Sequence, residues 1–291
     1  MADIGRSTGG VVIEQMIRNT VVADVLVVGV VSIDRLHIGD KSFRTVGGAG
    51  MYTAIAVQFV GVSVALFAPR PGSMSSILKT IDGHLHWFGP QILSHKLPQL
   101  EITHHGNDVA TLNAIEWGGE IELVPEDLPS DLSEYKIVHL AALSSAERQL
   151  HFVKACRTRG AQLISAGTYS YVVQHEPETV MKLMKEVDIF FMNENEAVGL
   201  FGSIGNIVVD PGKLVFVTLG RNGAIVLTDD LSEGMPAKSV EEFDPTGAGD
   251  TFCGATLAGL SRGILPQDAA TQAIDLAGLV VTGLGPESLL S

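Results

Sequence analysis

Short apolar runs without strict alternation recur along the chain, and stretches with helical spacing of apolar positions lie between many of them. Strands that are buried on both faces show such near-continuous apolar runs, because neither face meets water. The runs predict strands at 24–31, 62–68, 136–140, 161–165, 187–192, 213–219 and 223–228. Helical spacing predicts helices at 49–60, 145–159, 178–186, 194–201, 247–261 and 266–282. This alternation of strand and helix predicts an α/β fold with a mostly parallel sheet covered by helices.

Two segments interrupt this rhythm because polar and apolar residues alternate in them. They lie at 37–46 and 102–124, and the second contains Trp117-Gly118-Gly119, which predicts a hairpin turn. We expect the two segments to pair as a small β-sheet formed by about 35–46 and 102–124. A sheet of this kind over one end of an α/β domain would act as a lid.

The composition fits one large folded unit, which we predict to be a single domain over 1–291 with an N-terminal extension over 1–22. A chain of 291 residues with 46% hydrophobic and 18% charged residues can bury a large core, and this balance excludes intrinsic disorder. The 19 Lys and Arg against 33 Asp and Glu give a net charge of −14, which argues against nonspecific binding to nucleic acid. Cys156 and Cys253 form no metal-binding spacing, so we expect reduced thiols in a cytoplasmic protein.

The longest uncharged stretch lies between Arg44 and Arg70, and a segment of this length can span a bilayer. However, glycines interrupt its beginning, and Gly61 stands where a helix commonly ends. We therefore predict a buried helix followed by a buried strand, and no association with a membrane.

The strongest chemical motif is Asp244-Pro-Thr-Gly-Ala-Gly-Asp250, which an apolar, helix-compatible run follows directly. The unpaired N–H groups of the first helical turn would then face an anion, and the glycines let it approach the backbone closely. The carboxylate of Asp250 stands beside this anion hole and can take a proton. The combination suits phosphoryl transfer, although an aspartate that merely caps a helix beside packed glycines shows the same spacing.

The sequence DPTGAGD resembles the C-terminal signature of the ribokinase-like (PfkB) carbohydrate kinase family, and further motifs agree in order and spacing over about 23–284. They are the first strand ending in an aspartate at 29–34, the di-glycine sequence at 46–50, the NxxE sequence at 192–197 and the nucleotide-binding turn at 217–223. The resemblance implies a ribokinase-like three-layer α/β/α sandwich with a small β-sheet lid. It also implies ATP and Mg²⁺ as cofactors.

The resemblance further implies a role for each matched residue. Asp250 would be the base that activates the acceptor hydroxyl. The amides of the anion hole would belong to Gly247, Ala248 and Gly249. The hydroxyls of the acceptor would be held by Asp34, Gly47 and Gly48.

The nucleotide and its ions would lie against the other matched motifs. The nucleotide site would be lined by Thr218, Gly220 and Gly223. Asn193 and Glu196 would organise Mg²⁺ and the phosphates, largely through water. Asp244 would help to shape a site for a monovalent cation such as K⁺.

We therefore predict an ATP-dependent kinase that phosphorylates a hydroxyl of a sugar or polyol, with inositols among the acceptors. Family members that act on ribose often carry Lys and Asn where this chain has Ala49 and Tyr52, which counts against ribose itself. The sequence leaves the function of 69–105 open, and it is compatible with a monomer or a homodimer.

Three other functions are compatible with parts of the sequence. The first is a nucleoside kinase of the same family. The second is a non-catalytic ligand-binding regulator, which would have no use for Asp250. The third is a dinucleotide-dependent oxidoreductase with Gly48-x-Gly50 at the phosphates, although the segment before Gly48 is too short and polar for the strand that such a motif requires.

The histidines do not form a metal-binding pattern, since carboxylates do not accompany them. We interpret the central ones as solvated or hydrogen-bonded loop histidines. They are His84, His86, His95, His104 and His105.

Overall fold

The computed structural model describes residues 23–106 and 109–290, so the predicted N-terminal extension over 1–22 lies outside the described residues. The strands in chain order are β1 (Val25–Val28), β2 (Ser32–Ile38), β3 (Lys41–Gly47), β4 (Val64–Phe67), β5 (Arg70–Pro71), β6 (His86–Phe88), β7 (Gln91–Ile92), β8 (Gln99–Gly106), β9 (Val109–Glu116), β10 (Ile137–Leu140), β11 (Leu163–Gly167), β12 (Ile189–Asn193), β13 (Leu214–Thr218), β14 (Ala224–Leu227) and β15 (Ser232–Met235). The helices are α1 (Ala49–Phe59), α2 (Ser76–His84), α3 (Ala146–Thr158), α4 (Ser170–His175), α5 (Pro177–Glu186), α6 (Glu194–Phe201), α7 (Ala248–Ser261), α8 (Pro266–Val280) and α9 (Glu287–Leu290).

The large sheet has the strand order β15-β14-β13-β12-β11-β10-β1-β4-β6. Its strands run parallel from β13 to β6, whereas β14 and β15 pair antiparallel at the other end. Successive side chains of a strand point to opposite faces, so Val25 and Val27 pack with α1, α2, α7 and α8. Leu26 and Val28 pack on the other face with α3, α4, α5 and α6. The predicted three-layer α/β/α architecture with a mostly parallel sheet is confirmed.

A separate sheet with the order β3-β2-β8-β9 lies at the end of the molecule where β2 follows β1. The two alternating segments of the sequence thus pair as expected, through the parallel contact of β2 with β8. The strands begin earlier than predicted, at Ser32 and Gln99, and the second segment is strand only as far as Glu116.

The predicted hairpin turn at Trp117-Gly118-Gly119 is wrong. Strands β8 and β9 form the hairpin instead, and Gly118–Glu122 is a 3₁₀ helix. Gly118 has a φ of +50°, and a Cβ there would lie within 3.0 Å of the carbonyl carbon of Lys96. The glycine is therefore required by close packing against Lys96 rather than by a hairpin turn.

The uncharged stretch between Arg44 and Arg70 forms the end of β3, then α1 and β4, as predicted. Across the parts of the chain that the structure describes, none of the helices has the length and apolar character needed to cross a membrane. The segment 69–105, whose role the sequence leaves open, adds β6 to the edge of the large sheet beside β4.

Candidate active site

The di-glycine sequence is required by the packing of β3 and α1 against β2. The register of β2 and β3 places Gly47 opposite Ser32, and a Cβ at Gly47 would lie 2.6 Å from Cγ of Asp34. Gly48 caps α1 with a φ of +98°, and a Cβ there would lie 2.5 Å from the carbonyl oxygen of Val30. Only glycines therefore bring the beginning of α1 against the carboxylate of Asp34.

Three buried polar groups beside the di-glycine sequence have no hydrogen-bond partner within the described part of the chain. They are Oγ of Ser32, Oδ1 of Asp34 and the hydroxyl of Tyr52. Asp34 is 2% exposed and Tyr52 is 1% exposed. Burial raises the pKa of Asp34 to about 7. Because unpaired buried polar groups are costly, these atoms suit a ligand that supplies their hydrogen bonds.

Tyr52 connects the di-glycine sequence with the DPTGAGD motif. Its ring lies so close to Gly247 that a Cβ there would be 2.5 Å from the ring carbons. Burial raises the pKa of Tyr52, and the carboxylates of Asp244, Asp34 and Asp250 raise it further. The phenol is therefore a neutral group among three carboxylates, and it can donate a hydrogen bond.

The DPTGAGD motif forms the beginning of α7 as predicted. Gly247 caps the helix with a φ of +77° in the left-handed region. The N–H group of Ala248 donates to the carbonyl oxygen of Pro245 (3.2 Å), which removes it from the predicted set of anion-hole amides in this arrangement. Gly247 and Gly249 remain of the predicted set, and the N–H group of Asp250 is a further first-turn donor that the helix itself does not use.

Asp250 lies in the first turn of α7, and burial raises the pKa of its carboxyl to about 7. The hydroxyl of Thr53 on α1 donates to the carbonyl oxygen of Asp250 (3.3 Å). Helices α1 and α7 approach closely here, since a Cβ at Gly254 would lie 2.9 Å from Cβ of Ala56. The proposed base and the di-glycine sequence are thereby held on neighbouring helices.

Asn193 and Glu196 form a capping box at the beginning of α6. The Asn193 side chain accepts from the N–H of Glu196 (2.9 Å), and the Glu196 carboxylate accepts from the N–H of Asn193 (2.9 Å). Glu196 is 4% exposed, and burial raises the pKa of its carboxyl to about 7. The carboxylate is thus engaged by the helix cap, which fits an indirect role towards Mg²⁺ through water.

No group of three or more His, Cys, Asp or Glu side chains is arranged to hold a metal ion in the residues that the structure describes. Mg²⁺ commonly keeps several waters and binds through one or two carboxylates together with substrate phosphates. Asn193 and Glu196 are the residues that would organise the waters of such an ion, since both carry side-chain oxygens at the cap of α6.

The predicted nucleotide-binding turn follows β13, next to the capping box. Thr218 pairs with Asn193 in the parallel register of β12 and β13, so both side chains stand at the same edge of the sheet. Gly220 and Gly223 have φ values of +56° and +99°, and a Cβ at Gly223 would lie 2.8 Å from the backbone nitrogen of Ala237. The two glycines are needed for the tight 3₁₀ turn between β13 and β14.

Asp244 is almost completely buried among hydrogen-bond donors. Its Oδ1 accepts from the N–H of Thr246 (3.0 Å), its Oδ2 accepts from the N–H of Gly285 (2.8 Å), and Nε2 of His104 lies 3.3 Å from Oδ1. Burial by itself raises the pKa of Asp244, but the hydrogen bonds from His104, Gly285 and Thr246 outweigh it and hold the pKa below its usual value. A monovalent cation needs oxygen acceptors around it, so this donor set does not fit the predicted K⁺ site at Asp244.

Sequence reasoning missed His104, which we interpreted as a loop histidine. It lies in β8, its side chain is 5% exposed, and its Nε2 is 3.0 Å from Oγ1 of Thr246. The alternation of β8 contains a signal, because His104 shares its face with the apolar Ile102. The sequence marks Tyr52 only as a departure from ribose-phosphorylating members, and Ser32 only as part of a strand.

Free first-turn N–H groups beside the carboxylate of Asp250, at the edge of a mostly parallel sheet that carries a second small sheet, are the arrangement expected of a small-molecule kinase. Residues 23–291 match the family model described as pfkB family carbohydrate kinase. The chain belongs to this family.

Proteins to which this chain is similar include kinases whose names state different acceptors. A cytidine kinase of Thermococcus kodakarensis is 28% identical over 82% of this chain and 89% of its own length. A probable sugar kinase of Rhizobium etli has a TM-score of 0.79 at 22% identity, covering 91% of this chain and 94% of that one. An adenosine kinase of Sinorhizobium meliloti has a TM-score of 0.77 at 21% identity, covering 91% of this chain and 95% of that one. The two structures show that the fold is shared.

Proposed function

We propose that the protein is an ATP-dependent kinase that transfers the γ-phosphoryl group to a hydroxyl of a sugar or polyol. The observation that carries this proposal is the position of Asp250 in the first turn of α7, beside donors that the helix leaves free. A carboxylate at a phosphate-binding helix N-terminus unites the two groups that phosphoryl transfer requires.

In the proposed reaction the acceptor hydroxyl attacks the γ-phosphorus while Asp250 takes the hydroxyl proton. The bond from the γ-phosphorus to the bridging oxygen breaks, and ADP leaves with that electron pair. The N–H groups of Gly247, Gly249 and Asp250 stabilise the charge on the transferring oxygens. Asn193 and Glu196 would organise the waters of a bound Mg²⁺, which would neutralise charge on the phosphates.

The proposed acceptor carries several hydroxyls, because the unpaired groups near α1 have complementary chemistry. An ionised Asp34 accepts two hydrogen bonds, which suits vicinal hydroxyls, and the neutral Tyr52 donates one. Sugars and inositols both present such hydroxyls. The acceptor site is also where Ala49 and Tyr52 depart from ribose-phosphorylating members, which supports an acceptor other than free ribose.

A nucleoside is the second candidate acceptor. The cytidine kinase of T. kodakarensis aligns with most of this chain, and its substrate carries the vicinal hydroxyls of a ribose. An aromatic pair, Trp117 and Tyr169 with ring centroids 5.9 Å apart, follows the ends of β9 and β11, and we propose these rings as the place where a base would stack. Asp34 would serve the hydroxyls in either case.

We also propose a cytoplasmic location and either a monomer or a homodimer. The location is supported by Cys156 and Cys253, which are both buried and free.

An ADP-release assay with Mg·ATP tests the proposed function across pentoses, hexoses, inositols and nucleosides. We expect turnover with one acceptor class, and Asp250→Asn should lower kcat by about 10³-fold while acceptor binding is nearly unchanged. Asp34→Asn is the matched variant, and it should raise the acceptor KM with the KM for ATP unchanged.

Two results would overturn parts of this proposal. Asp250→Asn with more than about a tenth of the wild-type kcat, a loss below about 1.4 kcal/mol, removes the base assignment. If no acceptor is phosphorylated but one of them stabilises the protein against heat, the protein is a ligand-binding regulator and not a kinase.

A further inference from the structure

We propose that His104 is a positioning residue that joins the small sheet to the turn before the anion hole, in the place at Asp244 where the sequence predicts a monovalent cation. The inference rests on the proposed kinase function. It starts from a contact between residues 142 positions apart, in which Nε2 of His104 lies 3.0 Å from Oγ1 of Thr246.

The geometry assigns the proton of the imidazole to Nε2. That nitrogen also lies 3.3 Å from Oδ1 of Asp244, whose side chain is 0% exposed. A lone pair on Nε2 would face the lone pairs of the carboxylate, whereas an N–H group is attracted to both oxygens. Nδ1 of His104 is buried and has no hydrogen-bond partner in the described ranges, so Nε2 carries the contacts of the ring.

Asp244 receives donors from three separate parts of the fold. His104 belongs to the small sheet, the N–H of Thr246 to the DPTGAGD turn, and the N–H of Gly285 to the segment after α8. A second contact joins the same parts, since the rings of Phe43 on β3 and Phe243 meet edge to face at 6.1 Å. The carboxylate thus fixes the small sheet and the turn relative to each other.

The turn that His104 contacts leads directly into the anion hole. Thr246 precedes Gly247, which caps α7, so a shift of Thr246 reorients the N–H groups of the first turn. Misplacement of catalytic donors by about 1 Å can reduce rates about 100-fold, because the transition state is sensitive to their orientation. The effect of losing His104 should therefore appear mainly in kcat.

The same contact removes the reason for a cation at Asp244. The imidazole N–H supplies the positive charge density that a buried carboxylate needs, without an ion. Wild-type activity should be the same in potassium, sodium or choline chloride. When His104 is removed, the carboxylate loses a donor and a space opens beside it, so K⁺ should restore part of the activity.

The test compares His104→Ala, His104→Gln and His105→Ala. His105 is the matched control, since it is the next residue on β8, is exposed, and contacts Thr111 rather than the turn. We expect His104→Ala to lower kcat about 10- to 100-fold with the KM for ATP changed less than about threefold. His104→Gln keeps an N–H donor and should retain at least about a third of kcat, and His105→Ala should match the wild type.

A readout that needs no turnover separates this proposal from the proposed function. Hydrogen exchange of 243–250 should be faster in His104→Ala than in the wild type and unchanged in His105→Ala. The positioning role is overturned if His104→Ala keeps kcat within about twofold of wild type, or if exchange of this segment is unchanged. If the wild-type enzyme loses most of its activity in choline chloride, the prediction that Asp244 needs no monovalent cation is wrong.

Discussion

The carboxylates of the site differ because their surroundings differ. Burial raises the pKa values of Asp34, Glu196 and Asp250 to about 7, whereas hydrogen-bond donors hold the pKa of Asp244 below its usual value. An aspartate with a raised pKa is a stronger base, which suits the proposed role of Asp250. Asp244 stays ionised and can serve as an anchor for donors.

The proposed hydrogen bond from the Tyr52 hydroxyl to the acceptor can be tested by Tyr52→Phe. This substitution removes one oxygen and keeps the ring against Gly247. If the phenol donates to the acceptor, the acceptor KM should rise about 10-fold, equivalent to about 1.4 kcal/mol, with the KM for ATP unchanged. Steady-state kinetics with both substrates measures this.

An acceptor analogue without the contacted hydroxyl provides the control for Tyr52→Phe. Wild type and variant should bind that analogue equally, because neither can form the hydrogen bond. An acceptor KM that is the same in both enzymes for the full acceptor contradicts the assignment.

At the scale of elements, the junction of β3 and α1 depends on the absence of a side chain at Gly47. Gly47→Ala places a Cβ within 2.6 Å of Cγ of Asp34, so the carboxylate must move. We expect the acceptor KM to rise at least about 10-fold, since the hydrogen bonds of Asp34 are directional. Kinetics at saturating ATP isolates this effect.

Gly83→Ala is the matched control for this junction. Gly83 lies in α2, and a Cβ there meets no atom within 4 Å. The Gly83→Ala variant should have the activity of the wild type, and its stability should rise slightly because alanine favours the helix. If Gly47→Ala and Gly83→Ala have the same acceptor KM, the close contact with Asp34 does not matter for binding.

At the scale of the molecule, the buried carboxylates make stability depend on pH. The pKa of Asp250 is about 7 in the fold against 3.8 for an exposed aspartate, so the folded state holds a proton that the unfolded chain releases. Its destabilising effect therefore grows from about pH 4 to pH 7 and stays constant above that. Asp250→Asn removes the charge, and we expect it to raise Tm at pH 8 by at least about 3 °C.

Calorimetry of Asp250→Asn at pH 4, 6 and 8 measures this dependence. The increase in Tm should shrink as the pH falls and disappear near pH 4. Asp229→Asn changes an exposed aspartate in the turn between β14 and β15 and should not reproduce the pattern. An equal change in Tm at pH 4 and pH 8 would show that burial of the Asp250 charge is not responsible.

Much of the large sheet could be predicted, because strands such as β1 and β13 are buried on both faces and therefore read as continuous apolar runs. Short edge strands such as β6 and β15 were not predicted, since few residues and mixed exposure leave little pattern. The prediction of a hairpin turn at Gly118 and Gly119 was wrong, because the sequence shows that a glycine is present but not which backbone it packs against.

The residues of the chemical motifs follow from local sequence, because each motif needs consecutive residues in one turn: the first turn of α7, the cap of α6 and the turn after β13. Packing between distant segments decided the rest. The contact of Tyr52 with Gly247, the donors around Asp244 and the raised pKa of Asp250 all depend on which side chains exclude water from one another. That arrangement arises only when β2, β8, α1 and α7 meet, so no local pattern contains it.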